Sequence, residues 1–150
     1  MSFFTSMRMK LPPYFVPCHF LTPQLTTQIL NVIDVSFGRR VSLQRYDNVV
    51  MTQRDKKIAA VITTRHDPDS HWVFLENFCV LPNYRNQGLG TELLEFTCTE
   101  LYTDYGGNKV TFALHVDAGI NHDRLVNYYC CRGFRKSYTN EKETMLLSED

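Results

Sequence analysis

The sequence predicts a single mixed α/β domain spanning residues 1–150, with a central six- to seven-stranded sheet flanked by helices. Three observations support this fold class. Residues 72–80 form a strand with apolar side chains on both faces, as in the centre of a sheet. A glycine-bearing turn and an amphipathic helix follow that strand without a spacer. Segments 49–64 and 134–147 each have the pattern of an antiparallel hairpin.

The first predicted elements are a strand at residues 14–20 and a helix after it. Pro17 interrupts the strand, which favours an edge position or a bulge. Thr22 and Pro23 are suited to the N-cap and first turn of the helix. Its apolar positions recur every four residues before Gly38, and they are Leu25, Ile29, Ile33 and Phe37. One face of this helix is therefore expected to be buried.

Residues 39–47 are few and weakly patterned, so a second helix at this point is reduced to a turn or lost. Residues 49–52 and 58–64 then flank the polar segment 53–57, which indicates the first hairpin.

The loop at residues 66–71 contains two histidines and two aspartates. His66 and His71 lack a known metal-ligand spacing, and the Pro-Asp pair between them is ordinary turn chemistry. No metal site is therefore predicted.

Strict alternation along residues 72–80 divides the strand into two faces. One face carries Trp72, Phe74, Glu76, Phe78 and Val80, and the other carries Val73, Leu75, Asn77 and Cys79. Pro82 ends the strand, because proline cannot donate to a ladder. The helix then starts at Gly90 and ends at Gly106-Gly107, and its apolar positions are Leu94, Cys98, Leu101 and Tyr105.

A helix that starts at a glycine turn is suited to bind phosphate. Its first N–H groups have no helical acceptor and carry partial positive charge, and Gly88 and Gly90 let a ligand approach the backbone. A Walker loop would need a lysine that this turn lacks, and a dinucleotide fingerprint would need a third glycine where Leu93 stands. Both alternatives therefore fail.

The pattern V-x-P-x-Y-R-x-x-G-x-G-x-x-L matches this segment. Its residues are Val80, Pro82, Tyr84, Arg85, Gly88, Gly90 and Leu93. The pattern resembles the acetyl-CoA-binding motif of the GCN5-related N-acetyltransferase (GNAT) superfamily. The resemblance implies a GNAT fold and an acetyl-CoA-dependent N-acetyltransferase.

The C-terminal part of the chain has a second, similar signature. Residues 109–116 are predicted as a strand, 117–123 as a loop and 124–132 as a short helix, and a hairpin around Thr139-Asn140 follows. The later GNAT pattern L-x-V…N…Y-x-x-x-G-F is matched by Leu114, Val116, Asn121, Tyr129, Gly133 and Phe134. The resemblance thus covers about residues 72–134.

The spacing within the second signature leaves two tyrosines to compare. Counting from Asn121 leads to Tyr128, whereas counting back from Gly133 leads to Tyr129. The backward count is preferred, because an extra residue is absorbed more easily by a loop than by a helix. Core packing is then expected for Tyr128.

By resemblance, Tyr129 is the general acid that protonates the departing CoA thiolate. Glu76 is the candidate general base, because the same-face residues Phe74 and Phe78 would remove water from its carboxylate. The sequence shows no partner cation for Glu76. The resemblance implies that acetyl-CoA is bound by Phe78, Cys79, Val80, Arg85, Asn86, Gln87, Gly88, Leu89, Gly90, Thr91 and Asn121. Direct transfer in a ternary complex is expected, without a cysteine nucleophile.

Lysine plus arginine equal aspartate plus glutamate at 16 each, which gives no reason to expect nucleic acid or a membrane surface as a partner. No segment is apolar for long enough to span a membrane, and the five cysteines form no C-x-x-C pair. A cytoplasmic protein is therefore expected, and a homodimer is left open.

The expected acceptor is the primary amine of a small molecule, either a polyamine or an amino sugar. Glu76 and Asn77 stand where the di/polyamine and glucosamine-phosphate acetyltransferases carry acidic residues, although Asn77 replaces the second acid. Two alternatives are a protein or peptide amine, which an open groove at residues 39–47 would favour, and a non-catalytic acyl-CoA-binding module.

Overall fold

The structure, a computed structural model, describes residues 11–102, 109–116, 121–137 and 144–148. Within these residues seven strands and three α-helices follow one another along the chain. They are β1 (Tyr14–Pro17), α1 (Pro23–Phe37), β2 (Asn48–Arg54), β3 (Lys57–Asp67), β4 (Trp72–Val80), α2 (Leu89–Glu100), β5 (Thr111–His115), α3 (His122–Cys130), β6 (Arg135–Ser137) and β7 (Thr144–Leu147).

All seven strands belong to one sheet with the order β1-β2-β3-β4-β5-β7-β6. Neighbouring strands are antiparallel except β4 and β5, which are parallel and are joined through α2. The sequence prediction of a mixed six- to seven-stranded sheet with flanking helices is confirmed.

The N-terminal elements largely follow the sequence pattern. β1 lies at the edge of the sheet, as Pro17 suggests, but it ends at Pro17, and a short 3-10 turn follows at Cys18–Phe20. The Thr22 hydroxyl caps α1 by accepting a hydrogen bond from the Leu25 N–H at 3.1 Å. Gly38 ends α1 in the left-handed conformation, with φ of 66°. The segment predicted to be a turn contains a single 3-10 turn at Leu43–Arg45.

The first hairpin is tighter than the sequence suggests. Asp55 and Lys56 form a two-residue turn, and both have positive φ, as a type I′ turn requires. The predicted five-residue loop at 53–57 is therefore wrong, because the ladder continues almost to the turn. β3 also extends three residues beyond its predicted end and reaches Asp67.

Helices cover both faces of the sheet and bury two apolar clusters. On one face α1 packs against the N-terminal strands, in a cluster that includes Ile29, Val32, Ile33, Val49, Met51, Val61 and Cys79. On the other face α2 and α3 pack against the sheet, in a cluster that includes Ile62, Val73, Leu75, Leu93, Leu94, Phe112, Leu114, Val126, Tyr129, Phe134 and Met145.

A β-bulge in β4 separates its two halves. Glu76 pairs with Thr63 and Cys79 pairs with Val61, so that Asn77 and Phe78 lie opposite the single residue between these partners. Asn77 has φ of 53°, a left-handed conformation that asparagine tolerates better than most residues. The bulge reverses the alternation of side chains from this point to the end of the strand.

This reversal corrects the predicted division of β4 into two faces. Val73 and Leu75 belong to the cluster under α2 and α3, and Phe78 and Val80 pack against the same cluster. Cys79 lies instead in the cluster under α1. Strict alternation had placed Phe78 on the opposite face from Leu75, because a period-2 sequence pattern does not show that a strand contains one extra residue.

The C-terminal helix α3 begins and ends two residues earlier than predicted, and a turn at residues 131–133 follows it. β6 and β7 form the expected antiparallel pair. The predicted helix end at Gly106-Gly107, most of the predicted loop at 117–123 and the hairpin loop at Thr139-Asn140 lie outside the described residues. None of the three helices is long and apolar enough to cross a membrane within the described parts of the chain.

Candidate active site

The candidate site is a cleft of about 970 Å³ that opens between β4 and β5. The two strands pair only from Trp72 to Phe74 on β4 and from Thr111 to Ala113 on β5. Within the described residues, positions 75–80 of β4 therefore have no strand partner on the β5 side. Because unpaired strand edges present N–H and C=O groups, this edge can pair with an extended ligand.

The start of α2 forms one end of the cleft. Its first helical hydrogen bond runs from the Glu92 N–H to the Gly88 carbonyl oxygen at 3.0 Å, so the N–H groups of the first turn before it have no helical acceptor. These groups and the helix dipole give this end a partial positive charge.

The two glycines at this helix start have different roles. Gly88 has φ of 77°, and a Cβ atom built there would meet no atom within 4 Å. A Cβ atom on Gly90 would instead lie 3.5 Å from both Phe78 and Val80, so Gly90 lets the helix pack closely on β4. The open space beside Gly88 is therefore the place where a phosphate group can approach the backbone.

Side chains hold the connection between β4 and α2 in place. The Arg85 Nε donates a hydrogen bond to the Val80 carbonyl oxygen at 3.0 Å. The Tyr84 hydroxyl lies 3.1 Å from an Asp55 carboxylate oxygen in the β2–β3 turn. The turn that precedes Gly88 is thus fixed to the end of β4 and to the first hairpin.

Glu76 lines the same cleft and has a cationic partner that the sequence did not reveal. Arg65 donates two hydrogen bonds to Oε1 of Glu76, from Nε at 3.1 Å and from Nη2 at 2.8 Å. The Arg65 guanidinium also stacks over the Phe74 ring, 4.6 Å from its centroid. Among the described residues, none donates a hydrogen bond to Oε2 of Glu76.

Two expectations about Glu76 are corrected by this arrangement. Phe78 lies beyond the bulge on the other face of the sheet. Of the two phenylalanines expected beside Glu76, Phe74 alone therefore shares its face. The Glu76 side chain is 29% exposed, so its environment is an ion pair at the wall of an open cleft and not an apolar pocket. The remaining oxygen of Glu76 is nevertheless open to a ligand that carries an amine.

Tyr129 and Tyr128 both line the cleft, but their surroundings differ. Tyr129 is 8% exposed and packs edge-on against Phe134, with ring centroids 5.6 Å apart. Tyr128 is half-buried, and its hydroxyl lies 2.8 Å from the Thr91 hydroxyl in the first turn of α2. The expectation of simple core packing for Tyr128 is therefore incomplete, because its ring touches the core while its hydroxyl joins α3 to α2.

Arg132 completes this connection between α3 and α2. Its guanidinium lies over the Tyr128 ring at 3.6 Å and donates a hydrogen bond to the Thr91 hydroxyl oxygen at 3.1 Å. These contacts fix α3, which carries Tyr129, against the helix start that is suited to phosphate.

Burial disfavours ionisation of three of the five thiols, of which Cys79 lines the cleft. Desolvation by burial raises the pKa of Cys79, which lines the cleft, and it raises the pKa of Cys98 to about 12. Burial likewise raises the pKa of Cys18 to about 11. Because only a thiolate is a good nucleophile, these cysteines are unsuited to carry an acyl group at neutral pH. Within the described ranges, no group of three His, Cys, Asp or Glu residues could hold a metal ion.

The structure brings together nearly all of the residues that the sequence singled out. The cleft is lined by Glu76, Phe78, Cys79, Val80, Arg85, Asn86, Gly88, Leu89, Gly90, Thr91, Asn121 and Tyr129. Gln87 does not line it and instead donates a hydrogen bond to the Asn83 carbonyl oxygen at 3.4 Å.

Sequence reasoning missed three arginines that line the cleft, Arg39, Arg65 and Arg124. Arg65 could have been found from the short loop after β3, because pairing Asp67 with Trp72 places Arg65 opposite Phe74 and beside Glu76. Arg39 follows the C-cap of α1 and donates a hydrogen bond to the Asn77 Oδ1 at 3.0 Å. No local pattern predicts this contact, because it depends on how α1 packs on the sheet.

A mixed sheet that opens between two parallel strands, with a glycine turn and a helix start at the opening, defines a class of CoA-dependent acyltransferases. The chain belongs to the Acetyltransferase (GNAT) family, whose model matches residues 19–134. It is therefore an acyl-CoA-dependent N-acetyltransferase.

Solved structures with the same fold cover most of the chain. An Acyl-CoA N-acyltransferase from Pseudomonas aeruginosa has a TM-score of 0.72 at 19% identity, with 92% of this chain and 99% of that chain covered. The ribosomal-protein-S18-alanine N-acetyltransferase from Escherichia coli has a TM-score of 0.67 at 21% identity, with 91% and 93% covered. Arabidopsis thaliana Naa50, in complex with the bisubstrate analogue CoA-Ac-MVNAL, has a TM-score of 0.66 at 16% identity, with 93% and 99% covered. A search of curated proteins finds no match.

The helix start gives a direct test of CoA binding. Gly88→Glu places a carboxylate in the open space beside the first turn of α2, where it would occupy and repel a phosphate group. We expect calorimetry to show CoA affinity reduced by more than about tenfold, the loss typical of removing a charge-assisted contact.

Gly38→Glu is the matched control for backbone strain. Gly38 also has positive φ and open space around its Cβ position, but it does not line the cleft. Thermal unfolding of both variants measures how much stability is lost when a side chain is placed at a position with positive φ. Unchanged CoA affinity in a folded Gly88→Glu variant would place the phosphate site elsewhere.

Proposed function

We propose that the chain transfers the acetyl group of acetyl-CoA to the primary amine of a small molecule, by direct attack in a ternary complex. The observation that carries this proposal is that Glu76, the helix start at Gly88 and Tyr129 line one continuous cleft. The acceptor would enter at Glu76 and the cofactor at Gly88, so the reacting groups would meet along the unpaired edge of β4.

The residues of the cleft fit acetyl-CoA. The N–H groups of the first turn of α2 and the open space at Gly88 suit the diphosphate. The unpaired edge at residues 78–80 suits the extended pantetheine arm, which carries amide groups that can pair as a strand does. When bound, acetyl-CoA supplies an acetyl thioester as the acyl donor. Asn121, exposed at the start of α3, lines the same cleft.

Glu76 is the proposed base. An alkyl ammonium has a solution pKa near 10, so the acceptor nitrogen must lose a proton before it can attack. Oε1 of Glu76 is occupied by Arg65, which leaves Oε2 to take that proton, directly or through water. The Arg65 contacts also fix the orientation of the carboxylate.

Tyr129 is the proposed acid. As the nitrogen bonds to the acetyl carbon, the carbon–sulfur bond breaks and sulfur leaves with its electron pair. The Tyr129 hydroxyl holds the proton that the sulfur then takes. The packing of Tyr129 against Phe134 keeps the ring in one orientation at the cleft wall.

A peptide or protein amine is the second candidate for the acceptor. The short connection between α1 and β2, which contains only the turn at Leu43–Arg45, favours it by leaving the acceptor end open. Among the fold neighbours, the ribosomal-protein-S18-alanine N-acetyltransferase is named for a protein substrate, and Naa50 is bound to the bisubstrate analogue CoA-Ac-MVNAL.

The two candidates are separated by thiol release from acetyl-CoA in the presence of polyamines, amino sugars and peptides with a free N-terminus. We expect at least one small amine to support a kcat/KM at least about tenfold above every peptide, because a compact acceptor gains its binding energy inside the cleft. Turnover of peptides alone would establish the second candidate, and no turnover with any amine would indicate a non-catalytic acyl-CoA-binding module.

The acid role is tested by Tyr129→Phe. Loss of a positioned acid should lower kcat by about 10²- to 10⁴-fold while CoA affinity stays nearly unchanged. Tyr128→Phe is the control, because it removes the neighbouring hydroxyl and its bond to Thr91. Its effect should fall on the KM for acetyl-CoA, and a larger loss of kcat in Tyr128→Phe would show that Tyr128 is the acid.

The base role is tested by Glu76→Gln, which keeps an oxygen for Arg65 but replaces the proton-accepting oxygen with an amide nitrogen. Turnover at neutral pH should fall by about 10²-fold or more, and CoA affinity should stay the same. Glu92→Gln is the control, because Glu92 is also paired with an arginine, Arg54, but lies on α2 outside the cleft. A loss confined to CoA binding would assign Glu76 a structural role.

A further inference from the structure

The acceptor end of the cleft carries more positive than negative charge. Among the described residues that line the whole cleft, Glu76 is the single carboxylate, whereas four arginines line it. Arg85 and Arg124 are two of them, and the other two, Arg39 and Arg65, lie at the acceptor end, where they bond to Asn77 and Glu76. Arg65 neutralises Glu76 in an ion pair at 2.8 Å. Arg39 has no carboxylate partner among the described residues, so its charge is left for a ligand.

Side-chain contacts hold both guanidinium groups in place. Arg39 donates from Nη2 to the Asn77 Oδ1 at 3.0 Å and stacks over the Phe37 ring at 4.6 Å. Arg65 stacks over the Phe74 ring while its Nε and Nη2 bond to Glu76. Since the side chains are already ordered, a ligand that binds them loses little additional entropy.

Donor groups remain on both arginines after these contacts are made. A guanidinium has five N–H donors, and in the described parts of the chain no residue accepts a hydrogen bond from Nη1 of Arg65 or from Nε and Nη1 of Arg39. Both side chains line the cleft, where Arg65 contacts Glu76 and Arg39 contacts the adjacent Asn77. Carboxylate and phosphate oxygens are the groups that such donors bind best.

We infer that Arg39 and Arg65 form an anion subsite, and that the acceptor is a small amine which also carries a carboxylate or a phosphate. This inference rests on the proposed function. There the amine of the acceptor lies at Glu76, and the anion subsite would bind the other end of the same molecule. It disfavours polyamines, since their additional ammonium groups would approach two guanidinium groups in a cleft with one, already paired, carboxylate.

Matched acceptors test the subsite. One set shares a four-carbon chain and differs in the remote group: 4-aminobutyrate, 4-amino-1-butanol and 1,4-diaminobutane. The other set is glucosamine 6-phosphate and glucosamine, which separates phosphate from carboxylate as the preferred anion. We expect at least one anionic acceptor to exceed its neutral partner in kcat/KM by about tenfold, and the diamine to be the poorest of its set.

Arg39→Met tests which residue provides the preference. It keeps most of the apolar stem of the side chain while removing its charge, so the ratio of kcat/KM between anionic and neutral acceptors should fall toward one, with Arg65 alone left in the subsite. Arg40→Met is the matched control, because Arg40 is exposed and does not line the cleft. It should leave the ratio as in the unmodified protein.

Binding measured without turnover separates this inference from the proposed function. Glucosamine 6-phosphate and 4-aminobutyrate are titrated calorimetrically into the CoA-loaded protein and into CoA-loaded Arg39→Met. Arg39-dependent binding without thiol release from any amine would support the subsite and refute the catalytic proposal. Equal rates for anionic and neutral acceptors, a ratio unchanged by Arg39→Met, or a diamine that reacts fastest would overturn the subsite.

Discussion

The bulge at Asn77 is the constraint on which the geometry of the cleft depends. It places Glu76 on the α1 side of the sheet and Phe78 on the α2 side, although the two are only two residues apart. A regular strand would put both side chains on one face. The bulge therefore lets a single strand present an ionisable group to the acceptor end of the cleft, and at the same time pack an aromatic ring under the helix start that is suited to phosphate.

The early end of the β4–β5 pairing complements the bulge. Pairing between β4 and β5 stops at Phe74 and Ala113, just before the irregular part of β4. The two strands therefore separate where the side chains of β4 change faces. A bulge bends a strand and increases its local twist, which is consistent with the opening from β5 beside the irregularity, while pairing with β3 resumes beyond it. The opening leaves the backbone of β4 available to a ligand without any loss of buried core, because α2 and α3 cover the strands on the far side.

The parts of the fold that depend on local chemistry could be predicted from the sequence. Thr22, Pro23 and Gly38 set the ends of α1, because each residue acts through its own backbone or its nearest neighbours. The glycine turn likewise starts α2, although the helix begins at Leu89, one residue before the predicted Gly90. The cofactor end of the site could be predicted for the same reason, since its strand, turn and helix start are adjacent in sequence.

The acceptor end was missed, because it is built from contacts between elements that are distant in sequence. The bond from Arg39 to Asn77 spans 38 residues, and the pair of Arg65 with Glu76 depends on the register of two strands. The same register shift hid the reversal of faces in β4. A one-residue irregularity leaves composition and propensity unchanged, so only the paired structure reveals it.

The chemistry of Asn77 explains why an amide, and not a second carboxylate, occupies the bulge. Its Nδ2 donates a hydrogen bond to the Thr63 hydroxyl oxygen at 3.0 Å, while its Oδ1 accepts one from Arg39 at 3.0 Å. The Thr63 hydroxyl in turn donates to the Glu76 carbonyl oxygen at 2.8 Å, so that hydroxyl has no second proton to give. An ionised aspartate accepts hydrogen bonds but donates none, so it would leave the Thr63 oxygen facing a negative charge in a buried position. An aspartate would also neutralise Arg39, whereas the neutral amide holds the guanidinium and leaves its charge at the mouth of the cleft.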